Sequence, residues 1–214
     1  MERWATFDCY GTLIDWNAGI GRELERLFGA ARAGEQLRAY HALEPQLQRE
    51  DPTRSYREVM TLALARLGAP NDEQEALGRS LPGWPPFPEV RASLQQARGR
   101  GWRLAVLSNT DRDLLDASLE RIGVRFDDSI VASEIGSYKP APAHWEEFFD
   151  RTGASREGHV HVAASLFHDV APATGLGLRT VWINRLGEEP EPQPDVELRT
   201  LAGLADALDA LVAA

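Results

Sequence analysis

Lysine, cysteine and long apolar runs are nearly or wholly missing from this 214-residue chain. Of 23 Lys plus Arg, only Lys139 is a lysine. Cys9 is the single cysteine, which excludes an intramolecular disulfide and a cysteine-rich metal cage. No apolar run approaches the roughly 20 residues of a bilayer-spanning helix. The stretch MERWATFDCYG has no basic region leading into an apolar one, so it does not read as a secretory leader. Cytoplasmic location is the resulting expectation. Positive charge is in deficit: the net charge of −10 argues against nucleic acid or an anionic membrane as partner. It leaves room for a small anionic substrate in a locally positive pocket. GxSxG, Walker and GxGxxG motifs are absent as well.

What is present suits an ordinary globular chain, 43% hydrophobic and 26% charged. WATFDCY (4–10) reads as a buried strand ending at a glycine turn. From Trp16 to about Leu81 the apolar spacing is helical, and Pro45 should kink or divide the second helix. PGWPPFPEV, with four prolines between 82 and 88, is a stiff connector. Beyond it, strands and helices alternate: WRLAVLS, DSIVAS, HVHVAAS and RTVWIN are strands separated by helices, and a helix over 200–214 closes the chain. Such alternation predicts a doubly wound parallel sheet of the Rossmann-like α/β class. The expected division is a core of 1–14 plus 89–214, with a helical cap inserted over 15–88.

In open α/β sheets, ligands bind beyond the carboxyl ends of the strands. Four such ends carry polar residues: Asp8, then Ser108 and Asn109, then 137–139, then 165–169. An aspartate ending an apolar strand needs a partner, and a lysine is the natural one. Lys139 stands out because arginine fills every other Lys/Arg position. A solvated surface accepts either cation, whereas a narrow pocket beside a carboxylate needs the compact ammonium.

FDCYGTLID, LSNTD, YKPAP and HVAASLFHDVAPATGLGL, in this order, resemble the four motifs of the haloacid dehalogenase superfamily. The resemblance spans essentially the whole core. It implies that Asp8 is a nucleophile forming a covalent ester, with Thr12 beside it. Ser108 and Lys139 would hold negative charge, and Asp169 would sit near the lysine. Magnesium-dependent phosphatases of the superfamily carry a second aspartate where this chain has Tyr10, and another where it has Ala164. The DxYGT form resembles the L-2-haloacid dehalogenases instead, which need no metal. The implied activity is therefore hydrolysis of small 2-haloacids without a cofactor. Tyr10, Asn109 and Trp145 would line the substrate site. The halide-binding cap arginine of those enzymes would be Arg38, with Arg49 and Arg54 as alternatives. Alternative readings are a phosphatase, which alone would call for Mg²⁺, and a weak anion-binding protein. The partner is a small anionic organic molecule, and a homodimer is left open.

His159 and His161 share one strand face and read as ordinary core histidines. His168, beside Asp169, has two readings: a pocket residue that shares the Asp169 carboxylate, or a structural histidine at a helix start. Cys9 should face away from Asp8, into the core.

Overall fold

A computed structural model of the chain describes residues 2–213. Met1 and Ala214, the outermost residues of the expected core and closing helix, lie outside them. Six strands form one parallel sheet: β1 (Arg3–Phe7), β2 (Trp102–Ser108), β3 (Asp128–Val131), β4 (His159–Ala163), β5 (Arg179–Ile183) and β6 (Val196–Leu198). Their order is β3-β2-β1-β4-β5-β6. The chain thus moves outward from β1 to β3, then returns to start β4 on the other side of β1. The switch point lies between β1 and β4, which is where such sheets open a crevice at their carboxyl ends.

Helices cover both faces. Four of them, α1 (Trp16–Phe28), α2 (Ala30–Glu50), α3 (Tyr56–Arg66) and α4 (Ala76–Ser80), come between β1 and β2 as an inserted helical cap. The rest belong to the core: α5 (Val90–Gly99), α6 (Arg112–Ile122), α7 (Ala132–Ile135), α8 (Ala143–Thr152), α9 (Ala171–Gly175) and α10 (Leu204–Leu211). Strand alternation sorts the buried side chains between two clusters. Phe7, Val106, Val162 and Val181 belong to the larger one, which continues into the cap. Trp4, Leu107, Ile130, Trp145 and Phe148 belong to the second.

Pro45 does not divide its helix: α2 runs unbroken through it. The fixed φ of proline is already helical, so the ring removes one backbone hydrogen bond without forcing an end. The break in the cap falls instead at Gly29, whose φ of 83° ends α1 and admits α2. The proline-rich connector runs beside the segment leaving β1. Asp15 N donates to Pro85 O at 2.9 Å, and Phe87 N to Leu13 O at 3.0 Å. Cap and core are tied again at α3, where Tyr56 N and Arg57 N donate to the two carboxylate oxygens of Asp111 at 2.9 and 3.0 Å. A core aspartate thus satisfies two amides that the first turn of a cap helix would leave free.

Candidate active site

The turn after β1 builds the first wall. Asp8 N donates to Val162 O of β4 at 3.1 Å, which pins Asp8 at the switch point. Gly11, with φ of 92°, reverses the chain so that Thr12 faces back toward Asp8. Thr12 Oγ1 lies 2.8 Å from Asp8 Oδ2 and accepts from Ala164 N at 2.9 Å. With an amide donating to it, the hydroxyl directs its own hydrogen at the carboxylate.

Lys139 explains its own singularity. Its Nζ reaches Asp8 Oδ1 at 3.0 Å, Asp169 Oδ1 at 2.5 Å and Leu107 O at 2.8 Å. Three ammonium hydrogens meet three acceptors while the side chain is 1% exposed. A planar guanidinium cannot direct three donors from one atom. Asn109 fixes the lysine backbone from both sides: Oδ1 accepts from Lys139 N at 2.7 Å, and Nδ2 donates to Lys139 O at 3.0 Å. Asn109 borders the cavity, as expected for a substrate contact, but its amide serves first to carry Lys139.

Asp169 sits on a wide helical turn, Leu166–Val170, where Val170 N reaches back to Ser165 O at 3.1 Å. Its Oδ1 also accepts from His161 Nε2 at 3.0 Å. His161 Nδ1 in turn lies 2.8 Å from Thr6 Oγ1, which is 2.8 Å from His159 Nε2. The two strand histidines therefore share a face, as expected, and one of them also supports the site. His168, expected to share the Asp169 carboxylate, bonds Ser165 Oγ through Nδ1 at 3.1 Å instead. It does line the cavity.

These contacts set the charge states. Burial pushes Asp169 upward, but Lys139 and His161 outweigh it and hold the carboxyl well below its ordinary range. Burial works against the Lys139 ammonium, yet Asp169 and Asp8 beside it raise its pKa overall. Asp8 is displaced upward, by burial first and by the charge of Asp169, with Lys139 opposing both. Asp8 is thus the more basic carboxylate of the pair. Burial lowers His168 to about 4, so its ring is neutral near pH 7.

The cavity between cap and core has a volume of about 710 Å³ and is bordered by Asp8, Tyr10, Ser108, Asn109, Lys139 and Asp169. Ser108 Oγ is buried there with no hydrogen-bond partner among the described residues. A hydroxyl so placed calls for a ligand oxygen or water to satisfy it. Tyr10 contributes its ring to the wall while its hydroxyl turns away, 3.2 Å from Leu114 O and 3.0 Å from Ser118 Oγ.

Two expected substrate contacts are elsewhere. Trp145 is wholly buried in the second cluster, edge-on to His161 at 5.2 Å between ring centres, and does not border the cavity. It packs behind the site because α8 covers the opposite sheet face from the cap. Arg38 is exposed on α2 and also lies off the cavity. Arg49 and Arg54 do not border it either; Arg54 donates to Leu47 O at 3.0 Å. The cation that joins Lys139 in the lining is Arg185, just beyond β5. It donates to Thr12 O at 2.9 Å and to Glu89 Oε1 at 2.8 Å, and lies over the Phe87 ring at 3.5 Å. The strand-end rule that picked out four strands would have found it on the fifth. Glu44 of α2 is a second unanticipated lining residue, buried and with no cation in ion-pair distance among the described residues.

A family model described as haloacid dehalogenase-like hydrolase matches residues 3–177. An (S)-2-haloacid dehalogenase of Pseudomonas sp. (strain YL) is 29% identical over 213 residues, covering 94% of this chain and 91% of that protein. A phosphoserine phosphatase of Thermus thermophilus is 32% identical over 161 residues, covering 72% of this chain and 65% of that protein. The crystal structure of an L-2-haloacid dehalogenase superposes with a TM-score of 0.86 at 25% identity, over 97% of this chain and 98% of that one.

Proposed function

The chain belongs to the haloacid dehalogenase-like hydrolases, and on that premise we propose that it hydrolyses 2-haloacids through an ester on Asp8. The single observation that carries this reading is the ammonium of Lys139, set between Asp8 and Asp169 at the floor of a cavity. A carboxylate made more basic by burial is a stronger nucleophile, provided an ammonium still keeps it ionised.

In the first step an Asp8 carboxylate oxygen bonds to C2 of the substrate as the carbon–halogen bond breaks. Halide leaves with the bonding pair and needs no proton. In the second step water adds to Cγ of Asp8. The oxyanion formed there lies within reach of Lys139 and Thr12, the groups already bound to Asp8. Collapse releases the 2-hydroxy acid, one proton goes to solvent, and Asp8 returns as carboxylate carrying an oxygen from water. The substrate carboxylate finds a donor in the unpartnered Ser108 hydroxyl.

The donor set does not suit Mg²⁺. Asp169 is engaged by Lys139 and His161, and Ala164 offers no side-chain oxygen. The Tyr10 hydroxyl is held against α6, away from any leaving group, and burial raises its pKa further. Both features favour dehalogenation over phosphoryl transfer. The test is a halide-release screen across 2-chloro-, 2-bromo- and 2-fluoro-acids in EDTA. Release is expected from the parent and not from Asp8→Asn. No release from any of them, with Mg²⁺-dependent turnover of p-nitrophenyl phosphate, would overturn the reading.

A further inference from the structure

The cavity lining as a whole carries more carboxyls than cations, unusual for an enzyme that handles only anions. Five carboxyl residues border the cavity, Asp8, Asp15, Glu44, Asp169 and Glu188, against two permanent cations, Lys139 and Arg185. Both cations are already engaged: Lys139 by Asp8 and Asp169, Arg185 by Glu89. The lining histidines, His41 and His168, are held toward the neutral form by burial. Nothing on the cap wall therefore offers a full positive charge to a ligand.

Glu44 is the unusual member. It is 6% exposed, and no Lys, Arg or His lies within ion-pair distance of it among the described residues. Its hydrogen-bond partners are neutral: Gln48 Nε2 donates to Oε1 at 3.1 Å, and the Tyr56 hydroxyl lies beside it. A buried carboxyl with no counter-charge is costly and usually has a reason in binding or catalysis. Trp16 and Tyr56 line the same cavity. Trp16 is held flat against His41, with ring centres 4.9 Å apart and planes 7° apart. A carboxylate without a counter-charge, in a cavity also lined by aromatic rings, suits an ammonium group.

We propose that Glu44 is a specificity-determining residue that accepts a protonated amino group at the end of the substrate remote from the reacting carbon. The preferred substrate is then zwitterionic, a halo-acid with its carboxylate near Ser108 and its ammonium at the cap. This deepens the reading of the cavity as the substrate site, and Asp8 chemistry is not needed to test it.

The probes are unreactive ω-amino acids from 3-aminopropionate to 6-aminohexanoate, each paired with the fatty acid that has a methyl group in place of the ammonium. Calorimetry on the parent protein should show at least one amino acid binding about tenfold or more tighter than its partner. In Glu44→Gln, which keeps shape and removes the charge, that ratio should fall to about one. Fatty acids binding as tightly as every amino partner, no amino acid binding at millimolar concentration, or a ratio that survives Glu44→Gln would each overturn the proposal. With a reactive pair, 4-amino-2-chlorobutyrate and 2-chloropentanoate, Glu44→Gln should raise KM for the first and leave kcat near parent. No probe in the binding series carries a halogen. A failed halide screen thus leaves the binding result standing, and the reverse also holds.

Discussion

Lys139 Nζ stands 3.0 Å from Asp8 Oδ1 although 131 residues separate them in the chain. The contact joins the turn after β1 to the loop after α7, and Asp169 completes it from the turn after β4. Lys139→Arg should keep the fold by circular dichroism and lose about 100-fold or more in rate, because the planar fork displaces reacting groups by an ångström or so. Lys139→Ala leaves two buried carboxylates without their cation and should lower stability by about 3–5 kcal/mol in a denaturant titration. A Lys139→Arg protein as active as the parent would contradict the three-acceptor reading of the ammonium.

Activity should also report the basicity of Asp8. Attack requires the carboxylate, and burial raises its folded-state pKa above the ordinary aspartate value. Rate should therefore fall as pH drops through that raised value, which lies above the ordinary aspartate range. A kcat/KM profile flat down to the ordinary aspartate range would count against this assignment.

Much of this floor was legible because the strand-end rule and the order of the motifs both depend on local sequence. Asp8, Ser108, Lys139 and Asp169 each follow a strand or its loop, so topology alone brings them near one another. The cap was not legible in the same way. Arg38 and Glu44 lie on one helix, six residues apart, which places them about 120° apart around its axis. Nothing in the periodicity says which face meets the core, and charge pointed to the wrong one. Trp145 was misplaced for a similar reason: an aromatic residue soon after Lys139 suits a pocket wall or a core equally, and α8 turns it into the core. His161 was placed correctly on its strand face, but its bond to Asp169 depends on a turn that sequence does not describe.

The corrected positions make their own prediction. Trp145→Phe should cost about 1–3 kcal/mol in stability, as a core substitution does, and leave KM unchanged. Arg38→Ala should change neither, being exposed and away from the cavity. A raised KM in either variant, measured by steady-state kinetics, would return that residue to the substrate site.

Glu44 links the cavity to stability. Burial raises its pKa from 4.5 to about 7, with Tyr56 and Gln48 opposing and Asp8 adding to the rise. Tyr40 and Tyr138 also feel its charge. A carboxyl whose folded pKa is raised favours folding when protonated, so its contribution is full below about 4.5 and lost as pH climbs through about 7. The parent should lose stability relative to Glu44→Gln across that window, by at most on the order of 3 kcal/mol. Melting curves of the two proteins between pH 4 and 8 check the sign. A gap that closes as pH rises would be the wrong sign.

A covalent ester on Asp8 leaves a signature that oxygen isotope tracing can read. Turnover of a 2-haloacid in water enriched in ¹⁸O, with enzyme in excess, followed by peptide mass spectrometry, locates the solvent oxygen after one cycle. The label should appear in the peptide containing Asp8, and the first-cycle 2-hydroxy acid should be unlabelled, since its new oxygen came from the carboxylate. Label in the first-cycle product with none in Asp8 would mean that water attacks C2 directly, and would contradict the nucleophilic role of Asp8.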